Sequence, residues 1–322
     1  MKPRFGDFDT LCRNTPSYTW CNLFYRQLLR DDPNLLTGIS TPASSAPMGI
    51  NPVCGIPKVG TSINGPHQGT GKSLGNIANI VVCAVAMLVV LALIAGAQRR
   101  KAAVGRVELR NLLVIYFLTL PFQLITNGSL LEQGSTSLVA LTAIHAGLVA
   151  MFFWALLMNA LVATQMVEDG TPAALIPYFI FAVAFFVGTT YVAFDVALGI
   201  TKTLGPSNDP SELRSIALFV LTSIWPAVAS VLYFGIMTYI VLVVLNEIRP
   251  MWHYILSAGL FILSQLAWFL LGKVICEGST SKIDGSFIAT ILETAAVGVL
   301  FSAWRSITED TWDDDPYPMY PS

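Results

Sequence analysis

Polar residues are thinly scattered between seven long apolar runs, and the lengths of those runs decide what kind of chain this is. A helix rises about 1.5 Å per residue and a bilayer's hydrocarbon core is roughly 30 Å thick, so one crossing needs about 20 apolar residues. Seven stretches meet that requirement: Ile77 to Ala97, Asn111 to Leu130, Leu138 to Thr164, Leu175 to Gly199, Ser215 to Leu245, Tyr254 to Lys273 and Gly285 to Trp304. Each must close its backbone hydrogen bonds internally, and no region repeats the ten-residue alternation of a transmembrane barrel. The pattern predicts an all-α fold, a polytopic membrane bundle of seven transmembrane helices. The fifth run is longer than the hydrocarbon demands and holds Trp225-Pro226, which predicts tilt, a proline kink or protrusion.

The charge distribution then orients the bundle. Between the first two runs lie Arg99, Arg100, Lys101, Arg106 and Arg110 against a single Glu108. The alternate connections offer only Lys202, Arg214 and Lys282, with Lys273 at the end of the sixth run. Lys and Arg are retained in the cytoplasm, so the N-terminus is placed in a lumen or outside and the C-terminus in the cytosol. The chain divides into a lumenal region over 1–76, the membrane bundle over 77–304 and an acidic cytosolic tail over 305–322. No charged, apolar and small-residue leader pattern occurs at the start, so a cleaved signal peptide is not expected.

Cysteine positions agree with that orientation without having entered it. Cys12, Cys21 and Cys54 precede the first run, and Cys276 lies between the sixth and seventh. All four fall on the oxidising side, where disulfides persist. Three pairings are open, and one joining the N-terminal region to Cys276 would tie the first segment to the last loop. Cys83 lies within the first run and reads as a small packing residue.

Composition narrows the functions. Hydrophobic residues make up 54% and charged residues 12%, about half the charge of an ordinary soluble domain. A net charge of -2 without a basic cluster gives nucleic-acid phosphates nothing to hold. Gly69-Thr70-Gly71-Lys72-Ser73 imitates a phosphate-binding loop, but Pro66 stands where the motif needs a glycine, and a membrane run follows. His67, His145 and His253 fall in a lumenal loop, a span and a cytosolic loop, so they form neither a metal site nor a triad. No enzyme and no cofactor are expected. Three ionisable residues sit inside the runs: Glu293, His145 and Asp195. Such groups are costly in lipid, so each is either a functional group (relay, substrate site, partner contact) or one end of an interhelical hydrogen bond; for Asp195 the latter reading, with access to interfacial water, is preferred. The tail concentrates Glu309, Asp310, Asp313, Asp314 and Asp315 around Trp312, a solvated end or a segment for binding cytosolic machinery. Asn127-Gly128-Ser129 is a lumenal glycosylation sequon set close against the second run.

Four stretches resemble the fungal chitin synthase export chaperones. They are Phe5-Gly-Asp-Phe-Asp-Thr-Leu-Cys12 running on to Thr15-Pro16 and Cys21; Ala103-Val-Gly-Arg106-Val-Glu108; Trp154-Ala-Leu-Leu with Glu168-Asp169-Gly170-Thr171; and Cys276-Glu277-Gly278 with Asp284-Gly285. The similarity runs from about Phe5 to Asp315, with one departure: between Cys54 and the first run this chain is glycine-rich rather than helix-like. The resemblance implies a non-enzymatic protein of the endoplasmic reticulum membrane that assists folding and export of a chitin synthase, a polytopic client, and so supports cell-wall chitin. It implies Cys12, Cys21, Cys54 and Cys276 as structural staples. Arg106, Glu108, Glu168 and Asp169 become candidate cytosolic contacts, or loop charges satisfied by water. Glu293, Asp313 and Asp315 complete the candidate contacts with client or export coat, and membrane lipid covers the outside. Gly298 and Ser302 offer one close-approach face for a second helix. A seven-helix receptor and a small transporter share parts of this pattern, but the third span lacks Asp/Glu-Arg-Tyr, the seventh lacks Asn-Pro-x-x-Tyr, and seven spans do not halve into repeats.

Overall fold

Which residues begin each helix follows from capping chemistry, and the computed structural model carries that chemistry through residues 4–15, 17–36, 49–56, 74–100, 103–166, 168–201, 204 and 209–308, the residues it describes. Two short helices come first, α1 (Asp9–Asn14) and α2 (Cys21–Asp31). Seven helices long and apolar enough to cross a membrane follow: α3 (Ile77–Arg99), α4 (Arg106–Asn127), α5 (Thr136–Ala163), α6 (Pro172–Leu198), α7 (Ile216–Val244), α8 (Arg249–Phe269) and, after the short α9 (Gly272–Gly278), α10 (Gly285–Ile307). Asn76, Ser135, Ser215 and Asp284 each accept a hydrogen bond from a first-turn amide of the helix they open. Pro172 stands at the start of α6, where its missing N–H costs nothing.

Three ends differ from the apolar runs by four residues or more, for one physical reason: apolar length measures hydrocarbon depth, whereas helix length also follows capping and packing. α4 begins at Arg106 rather than near Asn111, because Gly105 caps a polar first turn and is itself held by Asp169. α8 begins earlier, at Arg249 followed by Pro250, and ends at Phe269 rather than Lys273. The chain then turns through Leu270 and Leu271 and restarts as α9, which carries Cys276. In α7 the proline is accommodated by a π turn, Val220–Ile224, immediately before Trp225-Pro226. A pyrrolidine removes one N–H and crowds the carbonyl a turn back, and the wider turn relieves both. A second π turn, Ile240–Val244, ends the helix.

α5 is the central helix, lying against α4, α6 and α7, while α3 packs on α4 and α10, and α10 lies along α8. The contact between α5 and α6 is close because Gly147 has no side chain: a Cβ there would collide with the Thr190 hydroxyl and the Phe186 carbonyl. Small residues permit such approach in a membrane, where packing rather than water drives helices together. The outward faces of α3, α6, α7 and α8 remain apolar, with Val85, Leu88, Ile180, Val231 and Ile262 exposed. The N-terminal segment does not build a core of its own. Phe8, Leu23, Phe24 and Leu28 share one buried cluster with Val139, Ala143 and Ala146 of α5, Val192 and Val196 of α6, and Leu218 of α7.

Replacing Gly147 by Val should separate α5 from α6 and lower stability by about 2 kcal/mol or more. Unfolding followed in mild detergent reads this as a lowered midpoint, and an unchanged midpoint would mean that the two helices are not in backbone contact.

Candidate functional site: a wedge and a clasp

Polar side chains gather at the two ends of the bundle. At the first end, a disulfide joins Cys12 of α1 to Cys21 at the start of α2, with Cα atoms 5.6 Å apart. In the loop it closes, Thr15, Ser17, Tyr18, Thr19 and Trp20 are buried against the helix ends. Thr15 donates its hydroxyl to the Trp268 carbonyl at 3.0 Å. Ser17 accepts from the Asn76 amide at 3.0 Å, and the same amide faces Asp284 Oδ1 and Ser286 Oγ at 3.2 and 3.0 Å. Tyr18 sets its ring edge-on to Trp268 and Phe269, with centroids 6.0 and 5.8 Å away. Thr19 donates to Asn127 Oδ1 at 2.9 Å, and the Trp20 ring lies 5.4 Å from that of His145. One loop thus touches α3, α4, α5, α8 and, through Asn76, α10. It works as a wedge. Burial raises the Tyr18 phenol well above its ordinary pKa, so it stays neutral.

The second disulfide, Cys54–Cys276, spans a sequence separation of 222 and binds the 49–56 segment to α9. All three complete pairings open to sequence tie Cys276 to the N-terminal region, and in the structure its partner is Cys54. By chain entropy alone, loops of these two lengths correspond to about 2.7 and about 5 kcal/mol. Further anchors hold the same segments: Val53 N–H donates to the Arg13 carbonyl, and Gln133 Nε2 to the Gly49 carbonyl. Arg30 lies at the end of α6, donating to the Ala197 carbonyl and, in a fork, to Asp31. That guanidinium holds the Asp31 carboxyl below its ordinary pKa.

The in-span ionisable residues separate. Asp195 is fully buried and accepts from the backbone and hydroxyl of Thr201, so its bonds are local, neither interhelical nor to interfacial water. His145 packs under Trp20 and Glu293 accepts from Trp268 Nε1 at 3.1 Å and Gln265 Nε2 at 3.4 Å, so the two face different partners. Cys83 is buried and directs its thiol at Asn79. Asn79, Gln123 and Tyr116 link α3 and α4 to Thr290 and Thr294 of α10, a polar seam within the spans. The sequon's Asn127 is 1% exposed and engaged by Thr19, which closes it to a glycan while the wedge is seated.

At the other end two loops grip each other. The Gly105 amide donates to Asp169 Oδ2 at 2.9 Å, and the Gly170 amide returns the bond to Glu108 Oε1 at 2.9 Å. Gly105 and Gly170 have φ of +69° and +68°, the left-handed region that L side chains enter only with strain. Asn159 of α5 donates to the Glu108 carbonyl, and Trp304 of α10 to the Val104 carbonyl. Glu108 is 0% exposed, and its charge sits in the first turn of α4, where the helix dipole favours an anion. The protein, not water, surrounds it: Oε1 accepts from Gly170, while Oε2 is buried without a hydrogen-bond partner among the described residues. Arg106 is half-buried and Glu168 exposed, so these two keep a solvent face. Asp313 and Asp315, His67, and the Gly69 to Ser73 stretch lie outside the described residues.

Sequence reading missed Thr15, Ser17, Tyr18, Thr19 and Trp20 as contact residues. Their signal is there in retrospect: hydroxyl and aromatic residues alternate between two closely spaced cysteines, a composition suited to helix ends that need hydrogen bonds.

The fold and its two fastened ends define a multi-pass helical membrane protein whose polar side chains go chiefly into holding the bundle together. The chain belongs to the family described as chitin synthase export chaperone, which matches residues 4–316. Among curated relatives, a chitin synthase export chaperone of Chaetomium globosum is 26% identical over 95% of this chain and 83% of its own length. Those of Neurospora crassa and Cryptococcus neoformans are 25% and 27% identical, over 95% and 66% of this chain and 77% and 57% of theirs. No solved structure matches. All four stretches quoted for the resemblance meet in the wedge or the clasp or on the helices joining them, which accounts for their spacing along the chain.

Glu108→Ala strands the Gly170 amide and should cost about 1 to 3 kcal/mol. Glu108→Gln, which keeps an acceptor, should recover most of that; equal thermal shifts for the two variants would show that the clasp does not depend on this bond.

Proposed function

We propose that this protein is a chaperone of the endoplasmic reticulum membrane that helps a chitin synthase fold and leave for the cell surface, thereby supporting cell-wall chitin. Family membership over residues 4–316 carries the reading. Its N-terminal wedge lies in the lumen and its C-terminal tail in the cytosol. Two disulfides at the wedge end favour an oxidising compartment there, and Arg99, Arg100, Arg106 and Arg110 gather at the clasp end, the pattern of a cytosolic face.

A chaperone of this shape acts without chemistry. Its client is itself a membrane protein with many spans, and an apolar bundle interrupted by small residues can lie beside an unassembled span and cover it. Gly298 leaves open space where a Cβ would stand, and Ser302 one turn on is exposed, so this face of α10 is free for such an approach. Lipid covers the remaining apolar flanks. On the cytosolic side Arg106 and Glu168 present charge to a partner, and the acidic tail with Asp313 and Asp315 serves as the contact for an export coat. Glu108 and Asp169, drawn into the clasp, shape that surface from beneath.

Deleting the gene should leave chitin synthase synthesised but retained in the endoplasmic reticulum, with a fall in wall chitin. Fluorescently tagged synthases read this directly, and normal surface delivery of every one of them in the deletion strain would refute the assignment.

A further inference from the structure

Glu293 occupies a place that its neighbours do not explain. It lies in the third turn of α10, about 12 Å along the axis from Gly285, within a helix long and apolar enough to cross a membrane. Its helical stripe contains Ser286, Thr290, Val297, Leu300 and Trp304, all buried, whereas Glu293 is only half-buried. Ile291, Ala295 and Ser302 mark the outward face, so the carboxylate points into the bundle and toward a gap.

The gap has a roof and a floor. On α8, Tyr254, Phe261, Gln265 and Trp268 share one stripe. Trp268 meets Tyr18 of the wedge above, and Phe261 meets Phe153 of α5 below, with centroids 6.0 and 5.8 Å apart. Between these aromatic pairs stand Gln265 and Glu293. Among the described residues both hydrogen bonds to the carboxylate end on Oε1, from Trp268 and Gln265. Among the described residues Oε2 accepts no hydrogen bond and is not fully buried. The ion pairs of the described residues, Arg4–Glu212, Arg13–Asp9, Arg30–Asp31 and Lys273–Glu277, lie at the wedge end and leave Glu293 without a cation of its own. α8 packs along α10 but touches α7 sparsely, and its flank, with Ile255, Leu256, Ile262 and Leu266, is apolar and exposed.

We infer that the gap between α7 and α8 is a docking site for a transmembrane helix of the client that carries a Lys or Arg side chain, which completes the hydrogen bonding of Glu293. The inference rests on the chaperone reading above. An unpaired carboxylate is costly in lipid, and a span of an unassembled membrane protein bearing a basic residue is equally costly alone. Pairing them removes both costs until the client assembles. The wedge's Tyr18 closes the lumenal side, so approach is lateral, through the membrane.

The test uses dicyclohexylcarbodiimide, a lipid-soluble reagent for membrane carboxyls, on membranes containing the full-length protein, with Glu293 modification read by mass spectrometry. Glu293 should be modified in protein made without client, and modified roughly ten-fold less when the synthase is co-expressed and bound, in keeping with a charge-assisted bond. In parallel, Glu293→Gln should recover less synthase on purification and deliver less to the surface at unchanged chaperone abundance, with Glu293→Asp intermediate. Equal modification with and without bound synthase overturns the docking site while leaving the chaperone reading intact, and so does no modification in either case. A parallel fall of abundance and delivery in Glu293→Gln overturns it too. Failure of the wild-type protein to hold any synthase overturns both.

Discussion

Helices that cross lipid are self-sufficient along their length but not at their ends, where amides and carbonyls emerge without intrahelical partners. In this protein the loop between Cys12 and Cys21 meets that need directly at the Trp268 carbonyl and braces side chains at the neighbouring helix ends. It supplies hydroxyls to Trp268, Asn76 and Asn127 and aromatic rings to Trp268, Phe269 and His145. The disulfide confines the loop before those bonds form, so the entropy of ordering it is removed in advance rather than charged against each contact. Without it, a few neutral hydrogen bonds of about 1 kcal/mol each would have to hold a mobile segment. The Cys54–Cys276 bridge repeats the device over a longer loop and fixes α9, on which the turn between α8 and α10 depends.

The clasp at the opposite end uses other means for a similar purpose. There are no cysteines, only two glycines in a left-handed conformation and two carboxylates that accept from them. That difference matches the proposed compartments, since disulfides persist in a lumen and not in the cytosol. It also leaves Arg106 and Glu168 with a solvent face at that end. Between the two fastened ends the half-buried Glu293 sits between two aromatic pairs.

Much of the architecture was legible from apolar run length, because hydrocarbon thickness imposes it. Helix ends were less legible where a distant loop braces a polar first turn, as at Arg106 to Arg110, or where a helix stops short to bring a cysteine into range, as at Leu270. The grouping of the four cysteines could be read from the parity of crossings, but their pairing could not, since it depends on which loops fold toward each other. Glu108 looked like a charge at a helix start, and a solvated carboxylate has the same sequence as one folded under Gly170. His145 and Glu293 stood out as polar groups at depth. Their partners, Trp20 and Trp268, lie far away in the chain, and nothing in local pattern joins them.

The claim on which the account turns is that the Cys12–Cys21 loop secures the helix ends as a group. Hydrogen–deuterium exchange on the purified protein, wild type against Cys12→Ser/Cys21→Ser, tests it most directly. The account predicts that the first turns of α3 and α10 and the last turn of α8 lose protection together, while residues 104–108 and 168–171 keep theirs. Loss confined to the 12–21 segment, with Trp268 and Asn76 regions unchanged, would contradict it.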